Sequence, residues 1–156
     1  MILQISISID MEFKTMKIII TENQLKNKVR QMVKTEGWKD TCEMLGLSGE
    51  EFNQMFFNND PMEFLNLYND LDVVQSKNNP YLTLFRYEPG HNLIIYDKSD
   101  GFVFMDNYEI FSVINVGFDT GSIQAVELIK EWLSDVYGLN DVKVSIMDFR
   151  DQRKIV

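Results

Sequence analysis

The chain reads as an α+β protein: a helical N-terminal half of about four helices with an N-terminal strand, packed with an antiparallel meander that is covered by two helices and followed by a final strand. Three observations predict this. Apolar residues recur at helical spacing between residues 22 and 72, the period falls to two after Pro80, and a long helical pattern returns at 122–137 before a last alternating run. The run Gln75-Ser76-Lys77-Asn78-Asn79-Pro80 breaks the pattern, so the expected organisation is an N-terminal strand and helical subdomain at 1–75 and a sheet-plus-helix subdomain at 76–156, packed as one compact unit. The 156 residues, 45% hydrophobic and 12% aromatic, suffice to bury one core.

The first element is a strand. In Leu3-Gln4-Ile5-Ser6-Ile7-Ser8-Ile9-Asp10 apolar and polar residues alternate strictly, as a strand with one buried face requires. A second extended run, Lys17-Ile18-Ile19-Ile20, follows without the Gly or Asn of a tight hairpin, which leaves the pairing of the two open. Met16 offers an internal start beside Met1; in that case the first strand would be an extension rather than part of the core.

Helices come next. Thr21 and Gln24 form a capping box, and Leu25, Val29, Met32 and Val33 continue at helical spacing to Gly37, which predicts a helix over about 22–35. Its other face carries Lys26, Lys28, Arg30 and Lys34, a solvated basic face. Trp38, Cys42 and Leu45 define a short second helix stopped by Gly46, and Ser48 with Glu51 caps a third containing Phe52, Met55 and Phe56. Asp60-Pro61-Met62-Glu63 starts a fourth helix, expected to run to about Asp72 with Phe64, Leu65, Leu67, Tyr68 and Leu71 on its apolar face.

Beyond Pro80, the runs 81–87, 92–97 and 102–106 are separated by Glu88-Pro89-Gly90-His91 and Lys98-Ser99-Asp100-Gly101, the pattern of a three-stranded meander. Both faces are apolar, with Leu82, Leu84, Leu93, Ile95, Phe102 and Phe104 set against Phe85, Tyr87, Ile94, Tyr96, Val103 and Met105, so both need cover. Asp106 with Glu109 caps a short helix bearing Tyr108, Phe111 and Ile114. Ile123, Val126, Ile129, Leu133 and Val136 mark the longer one at 122–137, stopped by Gly138. Val142, Val144 and Ile146 alternate with Lys143 and Ser145 in a fourth strand of undetermined neighbour, and a charged tail follows at Asp148–Lys154.

Composition narrows the function. Cys42 is the only cysteine, so no internal disulfide forms and a reducing, cytoplasmic setting is expected; with one thiol and one histidine, a Cys/His zinc cluster is excluded. No apolar run reaches the ~18 residues of a membrane span, and residues 1–15 carry Asp10 and Glu12 where a leader would be basic. The net charge is −9, and no Lys or Arg stands between Lys39 and Lys77, where Asp40, Glu43, Glu50, Glu51, Asp60, Glu63, Asp70 and Asp72 accumulate. That block repels phosphate and points to a basic protein partner, with no direct nucleic-acid or membrane binding, although solvated surface carboxylates are its plainest account.

Catalytic patterns are weak. Cys42, Gly46, Leu47, Phe52 and Met55 fall at helix-turn-helix spacing, but the second helix offers Glu50 and Glu51 where a DNA reader presents positive charge, so the pattern is kept as packing. His91, the sole histidine, sits in a Pro-Gly turn, and no Ser-His-Asp or Cys-His spacing accompanies it. Asp97, Asp100 and Asp106 are explained by turn and cap chemistry more simply than by a metal, and no P-loop or Gly-x-Gly-x-x-Gly run occurs. No catalytic residue, metal ligand or cofactor is therefore assigned. Phe56 and Phe57, near Met55 and Met62, read as core packing, with one of the adjacent phenylalanines expected to be partly exposed.

Val74-Gln75-Ser76, Asn79-Pro80, Leu84-Phe85-Arg86-Tyr87 and Asn92-Leu93-Ile94-Ile95-Tyr96-Asp97-Lys98, with the run Met16–Glu22, resemble small uncharacterised tailed-phage proteins across residues 16–140. The resemblance implies a viral origin, hence the host cytoplasm, and carries over no activity and no functional residue. The expectation is a non-enzymatic phage accessory protein that binds a basic protein through the eight carboxylates, as an inhibitor of a host nucleic-acid-binding or defence protein. The alternatives are a structural virion or assembly component, self-associating through the N-terminal strand, and a metal-dependent nuclease using Asp97 and Asp106.

Overall fold

A computed structural model describes residues 4–11, 14–87 and 91–149, with backbone alone for those up to residue 20. The chain divides into two compact units, Met1–Gly46 and Leu47–Val156.

In the first unit, β1 (Gln4–Met11) and β2 (Lys14–Thr21) pair antiparallel as a two-stranded sheet, with Gln4 opposite Thr21 and Met11 opposite Lys14. The pairing left open by the sequence is thus formed; Leu3 and the joining residues 12 and 13 lie outside the described residues. The helix α1 (Glu22–Glu36) follows β2 directly and contacts both strands. Its start is the expected capping box: Thr21 Oγ1 accepts the Gln24 N–H at 3.2 Å, and Gln24 Oε1 accepts the Thr21 N–H at 2.9 Å. Val29 and Val33 are its buried stripe, and on the polar side Lys26 pairs with Glu22 at 3.8 Å. After Gly37 comes α2 (Trp38–Leu45), whose buried residues are Thr41 and Cys42. It ends at Gly46, where φ is +66° and the N–H reaches back to the carbonyls of Cys42 and Glu43, a left-handed cap that only glycine adopts without strain.

The second unit opens on α3 (Gly49–Phe57), capped reciprocally by Ser48 and Glu51. Phe56 and Phe57 are both buried, 5% and 0% exposed: Phe56 meets Phe52 one turn earlier on the same helix, while Phe57 meets Phe64 and Phe118 from outside it. The expected partial exposure of one of them is corrected, and the exposed large apolar side chain of this helix is Met55. The next helix, α4 (Pro61–Leu65), starts under the Asp60 cap but gives way to a 3-10 turn at Asn66–Tyr68 and then to β3 (Asp72–Gln75).

A helix reaching Asp72 is therefore corrected. The chain is turned by partners on a distant helix: Trp132 Nε1 donates to Asn69 Oδ1 at 2.7 Å, and the Tyr137 hydroxyl donates to the Tyr68 carbonyl while accepting the Leu71 N–H at 3.0 Å. The β-branched pair Val73-Val74 then enters the sheet. The sequence boundary at 75/76 falls at the end of β3, inside the second unit.

Among the described residues the sheet has five strands in the order β3-β4-β5-β6-β7. The meander of β4 (Leu82–Tyr87), β5 (His91–Asp97) and β6 (Phe102–Asp106) is antiparallel, with a bulge where Phe85/Arg86 meet β5. The last strand, β7 (Lys143–Met147), joins the β6 edge in parallel, Phe102 opposite Lys143 and Asp106 opposite Met147. Between β6 and β7 lie two wide π-helical turns, Asn107–Phe111 and Val113–Gly117, and α5 (Ser122–Tyr137), which ends on Gly138 at φ +68°. Of the stripe expected on α5, Ile129 and Leu133 are buried, Ile123 is exposed, and Ala125 and Trp132 complete the inner face.

Packing settles on both sheet faces. The face holding Phe85, Ile94 and Met105 turns to the helices, with Phe85 and Tyr137 ring centroids 5.1 Å apart. On the other, Leu82, Leu84, Ile95 and Phe149 form a cluster flanked by Phe104 and Met147. Part of the cover thus comes from the segment after β7; residues 150–154 of the expected charged tail lie outside the described residues. The architecture is α+β, helices first, strands in the middle and at the C-terminal side.

Candidate functional site

The eight carboxylates picked out by the sequence do not form one cluster on one unit. Asp40 and Glu43 stand exposed on α2 in the first unit, whereas Glu50, Glu51, Asp60, Glu63, Asp70 and Asp72 belong to the second. Five of these six are exposed and Glu63 is half-buried. Two serve as helix caps. Glu51 Oε1 accepts the Ser48 N–H at 3.2 Å, and the Ser48 side-chain and backbone hydrogen bonds hold this carboxyl below its ordinary range; Asp60 Oδ1 accepts the Met62 N–H at 2.9 Å. Carboxylates gather at helix N-termini because unpaired N–H groups and the helix dipole favour negative charge there. Helix starts thus account for part of the acidic block.

Charge is divided unevenly between the units. The first 46 residues carry seven Lys or Arg against six Asp or Glu, while the remaining 110 carry eight against eighteen, so the second unit has a net charge of −10 and the first +1. On α5, Glu127, Glu131 and Asp135 repeat every four residues and are all exposed, an acidic stripe that the sequence reading passed over. Its signal was present in the spacing of four, on the polar side of a helix read only for its apolar side.

A second group of titratable side chains gathers at one end of the sheet. The Tyr87 hydroxyl, at the end of β4, donates to the Glu109 carboxylate, 3.0 Å from Oε1 and 3.1 Å from Oε2. The Tyr87 ring stacks on His91 at the start of β5, centroids 5.7 Å apart, and meets the Tyr68 ring edge-on at 6.3 Å. Burial pushes the Glu109 carboxyl above its ordinary value against the opposing pull of the Tyr87 hydrogen bond and of His91. Burial and then the Glu109 charge push the Tyr87 phenol up, so it stays a neutral donor. Asp106, at the end of β6, accepts the Phe149 N–H at 3.1 Å, and burial raises its carboxyl, with Asp148 adding to the rise. Glu109 and Tyr87 are 22 residues apart, and no local pattern announces their pairing.

Other candidates separate. Asp97 lies opposite Phe102 and Asp106 is four residues farther along β6, about 13 Å at ~3.3 Å per residue. The Asp97 carboxylate is occupied in its own turn, accepting the Ser99 N–H at 3.0 Å and the Ser99 hydroxyl at 2.6 Å. No group of three or more His, Cys, Asp or Glu suited to a metal ion occurs among the described residues. Burial pushes the Cys42 thiol up to about 11, which keeps it protonated and a poor nucleophile. Among the described residues no helix is long and apolar enough to cross a membrane. Comparison of the chain with protein-family models, with curated proteins and with solved structures finds no match.

Proposed function

We propose that the protein is a non-enzymatic phage accessory protein that binds a basic protein surface, acting as an acidic inhibitor of a host nucleic-acid-binding or defence protein. The supporting observation is the net charge of −10 gathered in the second unit, with Glu50, Asp70 and Asp72 exposed there. An exposed carboxylate surface attracts basic grooves, speeds encounter with them and repels phosphate. Such binding weakens as salt screens the charges, over a Debye length of ~8 Å at physiological ionic strength.

The test is capture from host lysate by the purified chain at about 0.1 M and 0.5 M NaCl, beside a Glu50→Gln/Asp72→Asn variant, with the bait's mass measured by light scattering. Glu50 and Asp72 make none of the capping bonds described above, so the variant reports on surface charge. One basic host protein, captured by a monomeric bait and lost both at high salt and in the variant, is the expected result. Capture indifferent to salt and to both substitutions overturns the reading.

A second reading, a structural virion or assembly component, is favoured by β1 and β2. They form a sheet of their own, with no third strand on either edge among the described residues. Open edges accept further strands. Deletion of residues 1–15 then dissolves a multimer while the monomer stays folded; an unchanged oligomer removes this reading. For a nuclease using Asp97 and Asp106 no comparable observation speaks, since Asp97 pairs with Phe102, four residues before Asp106 on β6.

A further inference from the structure

The segment after α5 closes the sheet by an attachment unlike that of any other strand in the second unit. Among the described residues the β7 strand is an edge strand, hydrogen-bonded only to β6 and parallel to it, and its own five residues are exposed or half-exposed. The meander strands hold side chains at 0% exposure, among them Ile94, Ile95, Val103 and Met105. Two anchors hold the segment beyond the ladder. At its start the Lys143 N–H donates to the Gly101 carbonyl at 2.9 Å, and the Lys143 ammonium lies 5.3 Å from the centre of the Phe102 ring. At its far end the Phe149 N–H donates to Asp106 Oδ1 at 3.1 Å, and the Phe149 ring packs with Leu82, Leu84 and Ile95 while Met147 flanks them.

We propose that Lys143–Phe149 is a strap that opens as a unit while the meander and α5 stay folded, and that the Asp106–Phe149 contact is its clasp. Opening breaks the β6–β7 ladder, both Lys143 contacts and the Asp106–Phe149 bond, and withdraws Phe149; it leaves the hydrogen bonds of β3, β4, β5 and α5 intact. What it uncovers is specific: the apolar row Leu84, Ile95 and Phe104, which lie opposite one another across three strands, and the β6 edge. Elements with few buried contacts and a single hydrogen-bonded side are those that open sub-globally. The strap shields the β6 edge from pairing with another chain.

The test is native-state hydrogen exchange on the full chain, read by mass spectrometry, for wild type, Asp106→Ala and Phe149→Leu. In the wild type the amides of Lys143–Met147 should exchange at least tenfold faster than the slowest amides of β4, β5 and α5. Both variants should speed exchange of the strap a further several-fold, with the slowest α5 amides speeded by no more than the same factor, so that the strap stays the faster of the two. Asp106→Asn, which keeps an acceptor oxygen for the Phe149 N–H, should stay near wild type. Strap amides exchanging in step with those of α5 in the wild type, or a strap indifferent to both variants, would overturn the proposal.

Discussion

Among individual residues, Glu109 is the side chain whose surroundings most nearly oppose its chemistry. Burial disfavours its ionised form, while the Tyr87 hydroxyl donates to both oxygens and stabilises that form, and burial wins. The native state therefore holds the Glu109 proton more tightly than the unfolded chain does. The contribution to stability is full below the unfolded value, about 4.3, and is lost as pH rises through the higher native value. Asp106 acts in the same sense, because its carboxyl is also raised by burial. Glu109→Gln keeps an oxygen for the Tyr87 hydroxyl and removes the titration. Its urea midpoint should exceed that of the wild type at pH 7, and the two should converge near pH 4. A gap that stays constant between these pH values would mean that the charge of Glu109 is not what the fold resists.

For the elements, the junction of α4 with β3 depends on one hydroxyl. Tyr137 Oη donates to the carbonyl of Tyr68, which is 1% exposed, and accepts the Leu71 N–H, so α5 fixes where the fourth helix stops and where the sheet begins. Tyr137→Phe keeps the ring against Phe85 and Trp132 but leaves two part-buried backbone groups without this partner. The expected loss is about 1–3 kcal/mol in urea unfolding, with exchange of the Leu71 amide raised above that of its neighbours. A loss below about 0.5 kcal/mol would mean that water replaces the hydroxyl. The same junction shows what sequence conveys and what it does not. Both capping boxes, at Thr21 and Ser48, and the glycine stops at Gly46 and Gly138 stand where local chemistry put them. The helix expected through Asp72 is absent because Phe64, Leu65, Leu67, Tyr68 and Leu71 carry a helical period that bonds from residues more than sixty positions away overrule. The neighbour of β7 and the pairing of Glu109 with Tyr87 were illegible for the same reason. Each is a contact of large sequence separation between residues that look ordinary in their own segments.

The whole molecule is defined by two units of different charge, and that difference is measurable without knowing any partner. Each unit has one tryptophan: Trp38 lies in the first, and Trp132 is fully buried in the second. With eighteen acidic against eight basic residues, the second unit repels itself, and the compact state suffers more from this than the expanded one. The first unit, at +1, has no comparable burden. In a Trp38→Phe variant the fluorescence of Trp132 reports the second unit alone. Raising NaCl from about 20 mM to 0.5 M shrinks the Debye length from over 20 Å to about 4 Å, and the thermal midpoint seen by Trp132 should rise by about 5 °C, equivalent to roughly 1 kcal/mol for a unit of this size. Sodium sulfate at equal ionic strength should give a larger rise, because it adds surface exclusion to screening. A midpoint that does not move with NaCl would mean that the eighteen carboxylates are spaced widely enough not to repel one another. The acidic surface would then lack the concentrated field on which recognition of a basic partner depends.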